Sequence, residues 1–295
     1  MPSGPLAAAL AYILWGLFPI YIKQVAAVPA LEIVLHRSAW SLVLMLGLLL
    51  VLRRFAWLRS VVGQPRTLAL FALSALLLAC NWLLYVWAVN AGRLLDASLG
   101  YFINPLVNVL LGCAVLHERP RPLQWAAVAL AAVGVLWLAL GVGHVPWVSL
   151  VLALSFGFYG LLRKTAPLGA IEGLALETLL LAPLAVGGLL WLGATGQGQF
   201  GQGDLRLDAL LIAAGPATAV PLLLFASGAR RVSMATLGLL QYIGPSIQFV
   251  LGVAVYHEPL SVSRGIGFAL IWAALALYSA ASWRALRRLP PPQAA

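Results

Sequence analysis

INPLVNVLLGCAVLHE, residues 103–118, and IGPSIQFVLGVAVYHE, residues 243–258, are two copies of one pattern. They align without a gap at an offset of 140, and eight of sixteen positions are identical: Ile103/Ile243, Pro105/Pro245, Leu111/Leu251, Gly112/Gly252, Ala114/Ala254, Val115/Val255, His117/His257 and Glu118/Glu258. Alanine and leucine match by chance in apolar segments, but Pro, Gly and His-Glu rarely fall in register. The same offset places ALE at 30–32 over AIE at 170–172. One residue more places WG at 15–16 over FG at 156–157, and Lys23 over Lys164. The chain is an internal duplication, to be read before any shorter motif.

The duplicated unit is apolar throughout. The 295 residues are 63% hydrophobic and 9% charged, a balance that would cover a soluble protein in exposed apolar surface. Runs of roughly 17–25 apolar residues can cross a bilayer as helices. Ten occur, at about 5–22, 33–52, 68–89, 97–116, 123–142, 146–162, 173–192, 209–228, 235–256 and 262–282. The short connections leave no room for a soluble domain. The expected fold is therefore an all-α membrane protein of ten transmembrane helices, as two five-helix repeats over 1–143 and 144–295, the second ending in a short basic tail. Five spans per repeat is odd, so the second copy enters the membrane upside down. Inverted repeats of this kind build transporters, with the substrate site near the midplane between the halves.

Charge placement fits. Counting spans alternately, the N-terminal side collects Arg53, Arg54, Arg59, Arg66, Arg119, Arg121, Arg163, Lys164, Arg230, Arg231, Arg284, Arg287 and Arg288; the other side has Lys23, Arg93, Arg206 and Arg264. This positive-inside bias predicts cytoplasmic termini in an inner (plasma) membrane, and it accounts for the net charge of +10 without nucleic acid. No basic residue precedes the first apolar run, so a cleaved signal peptide is not expected. Cys80 and Cys113 both fall within spans, which excludes a disulfide framework and argues against a metal site.

The segments LHRSAWS, NWLLYVWAV, SLGYFINPL, SFGFYGLLRK and LGLLQYIGP, with Gly-x5-Glu closing the fourth span of each repeat, resemble the drug/metabolite transporter superfamily, its EamA family and the RarD-type branch. The resemblance runs over about 5–283. It implies an exporter-like fold whose central cavity is lined by the first four spans of each repeat, with the fifth and tenth at the periphery. It implies small organic substrates such as amino acids, other metabolites or drugs. In the RarD-type branch they are poorly defined, and chloramphenicol phenotypes accompany the name.

Polar residues inside spans are the candidate site. Arg37 costs roughly 2.5–3.5 kcal/mol mid-span unless it faces a cavity or partner. Its repeat equivalent is Glu177, the one acid well inside a span. A direct or water-bridged Arg37–Glu177 pair is expected, either as a static lock or as a gate in which Glu177 carries a proton; snorkelling of each to its own interface is the alternative. His36 is a second proton candidate. Tyr101, Asn104 and Asn108 share a helical face, with Gln241 and Gln248 at the equivalents of Tyr101 and Asn108. Asn81, Trp82 and Tyr85 add a polar and aromatic patch on the third span. These eight read as substrate contacts in a cavity, against interhelical hydrogen bonding as the plainer account. Pro19, Pro105, Pro221 and Pro245 are expected kinks. Glu118 and Glu258 read as structural carboxylates near helix ends. The small residues of the fifth and tenth spans suit close packing, within the chain or in a homodimer.

Other motifs fail on context. GQGQFG at 196–201 matches a dinucleotide loop but follows an apolar span, not a strand. The His-Glu pairs lack a second histidine, with Arg121 and Ser261 in its place. No nucleophile elbow or Walker loop occurs. The reading is thus not an enzyme, without cofactor or metal, but a secondary transporter of small organic molecules in a lipid bilayer, exporting by alternating access with proton coupling as one option. An uncoupled facilitator is the alternative, and an intramembrane enzyme or lipid scramblase a more distant one.

Overall fold

The computed structural model describes residues 2–91, 93–140, 145–255 and 262–287, and every regular element among them is helical. Helices α1 (Gly4–Gln24), α2 (Ala30–Val51), a short α3 (Ala56–Val62), α4 (Pro65–Asn90), α5 (Leu94–Val115) and α6 (Pro122–Leu140) make up the first half. The second half holds α7 (Trp147–Thr165), α8 (Ala170–Ala194), α9 (Leu205–Ala229), α10 (Met234–Gln241), α11 (Ile243–Val250), a π-helical turn (Leu251–Val255) and α12 (Val262–Arg287). Among the described residues nine helical stretches are long and apolar enough to cross a membrane, and Gly265–Ala281 is a shorter apolar helix. Large apolar side chains such as Leu50, Leu136 and Leu184 stand on the outside, as lipid-facing surfaces require. The chain is a multi-pass membrane protein.

Helix α3 was not expected, because Arg59 interrupts its apolar run. It folds back onto the bundle by burying Val61 against Phe71, Ala166 and Leu176. The four prolines behave differently from one another. Helices α1, α5 and α9 continue through Pro19, Pro105 and Pro221. At Pro245 the helix breaks. Proline cannot donate to the carbonyl four residues back, which is that of Gln241, and α10 ends at Gln241.

Helix ends inside a low-dielectric layer need their free amides satisfied. At α10, Ser233 Oγ accepts from Thr236 N at 3.1 Å, and Glu118 Oε1 and Oε2 accept from Met234 N and Ala235 N at 2.7 and 3.2 Å. This explains Gly-x5-Glu in the first repeat: the Glu118 amide turns back onto the Gly112 carbonyl at 3.0 Å, and a Cβ on Gly112 would come within 2.7 Å of the carboxylate. Glu118 therefore ties α5 to α10, while Lys164 Nζ donates to the carbonyls of Ala229 and Val232 at the preceding helix end. Replacing Glu118 by alanine should cost about 2 kcal/mol, the upper end for a lost cap, read as reduced thermal stability in detergent; glutamine should recover part of it. Glu258 and His257 lie outside the described residues.

The small residues of α6 and α12 are used within the chain. A Cβ on Gly134 would lie 3.1 Å from the Gly267 carbonyl oxygen, and one on Gly267 would lie 2.6 Å from Leu138. Ala127, Ala131, Ile271 and Ala274 share one buried cluster.

Candidate functional site

Glu177 projects from the second turn of α8 and is only 1% exposed. Ser74 of α4 donates to its Oε1 at 2.5 Å, and Tyr159 of α7 donates to Oε2 at 3.5 Å. One turn beyond Tyr159, Arg163 brings Nη1 to 3.7 Å from Oε1. The Arg163 guanidinium is also 1% exposed; its Nη2 donates to the Ala170 carbonyl at 3.1 Å and its Cζ lies 5.5 Å from the Phe71 ring centre. Gly173 makes the space, since a Cβ there would overlap Arg163 Nη1. A buried carboxylate and its cation are thus held by three helices, α4, α7 and α8.

The cation is not the one expected from the sequence. Arg37 on α2 donates from Nε to Thr218 Oγ1 of α9 at 2.9 Å, and its Cζ lies 5.0 Å from the Phe18 ring centre and 4.5 Å from that of Trp82. The reason for the correction is geometric. Glu32 near the start of α2 holds Gln199 just past the end of α8, so α2 and α8 run antiparallel. A Cβ on Gly188 would touch Leu35, which sets the register. Arg37 then stands level with a residue about nine positions beyond Glu177, or roughly 13 Å along the helix axis. Equivalent positions on two antiparallel helices match in depth only when counted from opposite ends.

His36 faces away from both charges. Its Nδ1 accepts from Trp40 Nε1 at 3.0 Å, its Nε2 is 3.9 Å from Glu32 Oε1, and its ring centre lies 4.8 Å from Phe200. Glu32 Oε1 in turn accepts from the Gln199 and Phe200 amides at 2.7 and 3.2 Å. GQGQFG is therefore a folded cap over the start of α2. It turns on Gly196 and Gly201, at φ 67 and 77, and Gly201 N donates to Asp208 Oδ1 at 2.8 Å.

The polar stripe divides. Asn108 Nδ2 donates to Asn104 Oδ1 at 3.1 Å and to Gln241 Oε1 at 3.0 Å, and Asn104 Nδ2 donates to the Ala153 carbonyl at 3.0 Å. Asn81 Nδ2 donates to the Leu152 carbonyl and Ser155 Oγ, each at 2.9 Å. All four amides are buried. Expected as cavity contacts, they here bond within α5 and to the facing helices, because an amide in an apolar layer seeks partners there, while Asn108 Oδ1 is buried without one. Gln248 is exposed and donates to the Trp15 carbonyl at 3.2 Å. Trp82, Tyr85 and Tyr101 remain partly open; the two tyrosine rings meet edge to face at 5.8 Å, and both lie within electrostatic reach of Arg37.

A narrow cleft lies among the helices between Trp82 and Thr218 on one side and Glu177 on the other. Trp82 and Thr218, which hold Arg37, line it together with Ser38, Ser41, Thr178 and Glu177. Sequence reasoning missed Ser74, Tyr159, Arg163 and Thr218. Arg163 looked like one more basic residue flanking a span; the available signal was Tyr159 four residues earlier, on the same helical face.

The fold and this cleft define a class: a multi-pass membrane protein with opposite charges recessed among its helices. The EamA-like transporter family matches residues 2–140. Protein RarD of Escherichia coli is 44% identical over 276 residues, covering 94% of this chain and 93% of that one. An uncharacterized transporter of Pseudomonas aeruginosa is 50% identical over 284 residues, 96% and 95% of the two chains. Chloramphenicol-sensitive protein RarD of Pseudomonas aeruginosa is 35% identical over 293 residues, 97% and 96%. A crystal structure with 20% sequence identity shares the fold at a TM-score of 0.71, over 97% of this chain and 99% of that one. The chain belongs to the EamA-like transporter family, in its RarD branch, and is a membrane transporter.

Proposed function

We propose that the protein is a secondary transporter that exports small organic molecules across the inner membrane by alternating access, with both termini cytoplasmic. The two halves, 1–143 and 144–295, are inverted repeats that rock about the cleft between them. The observation that carries this is the cleft itself, bounded at one end by the residues that hold Arg37 and at the other by Glu177.

Paired contacts support the inverted repeat. Gly16 packs on Ile247 as Gly157 packs on Val107, its equivalent. Tyr242 donates to the carbonyl of Phe102, its own counterpart 140 residues earlier, at 3.2 Å. Residues related by a two-fold axis touch each other only beside that axis. Glu32 and Glu172, equivalents at the offset of 140, also behave alike, one holding the loop after α8 and the other reaching Arg54 just past the end of α2 at 2.7 Å.

Proton coupling through Glu177 is one form of this reading, with Ser74 and Tyr159 as the groups that would exchange hydrogen bonds as its charge changes. An uncoupled facilitator is the second form, favoured by the closed Arg163 partnership. The experiment is untargeted metabolite analysis of medium and cytosol from cells making the intact protein or Glu177→Gln at matched membrane abundance. A compound class accumulating outside only with the intact protein supports coupled export. Equal export by both supports the facilitator. If neither moves any compound, the export reading fails.

A further inference from the structure

The two charges of the cleft are unequal in circumstance. Glu177 has its cation in Arg163. Arg37 makes no ion pair among the described residues, and its hydrogen bond is from Nε to Thr218. Phe18 and Trp82 lie against the guanidinium, so the Nη1 and Nη2 edge is the part left to act. Of the carboxylates on the neighbouring elements, Glu32 holds the loop amides of Gln199 and Phe200, and Asp208 holds that of Gly201.

We propose that the Arg37 end of the cleft binds the carboxylate of an organic monoanion with a flat apolar body. A cation recessed in an apolar layer and lacking a protein counter-charge is a place for an anionic ligand. Two coplanar N–H donors match the two oxygens of a carboxylate, which receives them side by side. Trp82 lies against the guanidinium and Tyr85 and Tyr101 are within its electrostatic reach; the partly open rings of these three offer apolar faces to an attached ring or branched chain. An added ammonium on the ligand works against binding. It would face a cation at this end, and the acid at the far end is already paired with Arg163. The site therefore selects a monoanion over the zwitterion or the amine of the same body.

This rests on the transporter reading for its purpose but not for its test. Indole-3-acetate, tryptophan and tryptamine share one ring and differ in charge. Each is titrated calorimetrically into the purified full-length protein in detergent. Indole-3-acetate should bind, and the other two should bind at least about tenfold more weakly. Arg37→Gln should weaken indole-3-acetate by about 10- to 100-fold, the loss of charge-assisted hydrogen bonds. Arg37→Lys, which keeps the charge without the fork, should fall between, and a gel-filtration profile like that of the unaltered protein shows both variants folded. Tryptophan or tryptamine binding as tightly as indole-3-acetate overturns the proposal. So does full affinity in the folded Arg37→Gln protein, or no binding of indole-3-acetate at all. Reconstituted vesicles separate the two readings. Arg37-dependent binding with no flux keeps the site and removes transport of that ligand. Flux of another solute, with no binding of indole-3-acetate, keeps transport and removes the site.

Discussion

Gly215→Ala is expected to cost on the order of 3 kcal/mol or to prevent accumulation in the membrane, although it adds a single methyl group. Helices α2 and α9 cross at this glycine so closely that a Cβ would overlap the backbone carbonyl carbon of Trp40, with the Trp40 oxygen only 2.7 Å away. Backbone cannot swing aside as a side chain can, so the helices themselves must separate, and overpacking of that kind costs about 1–3 kcal/mol or more. Separation also stretches the Ser41 Oγ bond to the Gly215 carbonyl, now 3.1 Å, and moves Thr218, one turn on, away from Arg37. The control is Gly187→Ala on α8, where nothing lies within 4 Å of the added carbon. There the helix gains about 0.5–1 kcal/mol from reduced backbone freedom. Thermal unfolding of the two purified variants should shift in opposite directions. Equal shifts would mean that α2 and α9 do not meet as described.

The second large effect is a coupling between Arg163 and Glu177. Removing either partner of a buried ion pair leaves the other uncompensated, at a cost of about 3–5 kcal/mol. Arg163→Met strands the Glu177 carboxylate with Ser74 and Tyr159 alone. Glu177→Leu strands a guanidinium whose Nε and Nη1 already lack hydrogen-bond partners. The double variant should lose less than the sum of the singles, because it removes both charges together, and it should come close to the less damaged single. A thermal double-mutant cycle measures this directly. Additive losses would show that the 3.7 Å contact carries no energy and that each residue is held by its other partners. The same cycle with Arg37→Met in place of Arg163→Met should be additive, since Arg37 bonds to Thr218 and not to Glu177.

The site was half legible beforehand. Arg37, Glu177, Tyr85 and Tyr101 stand out because charge and hydroxyl are rare in apolar spans; Glu177 lines the cleft together with Trp82, and Trp82 packs on Arg37. Asn81, Asn104, Asn108 and Gln241 stand out for the same reason, yet here they bond to one another and to backbone carbonyls. Polarity within a span announces that a partner exists; it does not say whether the partner is a ligand or a neighbouring helix. Arg163 was hidden by its position, three residues from the start of an extended Ala166, where a basic residue ordinarily reaches for the membrane surface. Only the packing of Phe71 and Gly173 around it turns it inward.

Composition and spacing alone determined that this is a multi-pass helical membrane protein and that residues 103–118 and 243–258 repeat one sequence pattern. Those properties follow from hydrocarbon thickness and helix rise, which act on any chain of this composition. Which cation meets Glu177, which amides are spent between helices, and which edge of Arg37 stays open were decided by tertiary structure. They depend on the register of antiparallel helices. One turn of slip, about 5.4 Å, exchanges a bonded neighbour for an open cleft while leaving every periodicity in the sequence unchanged.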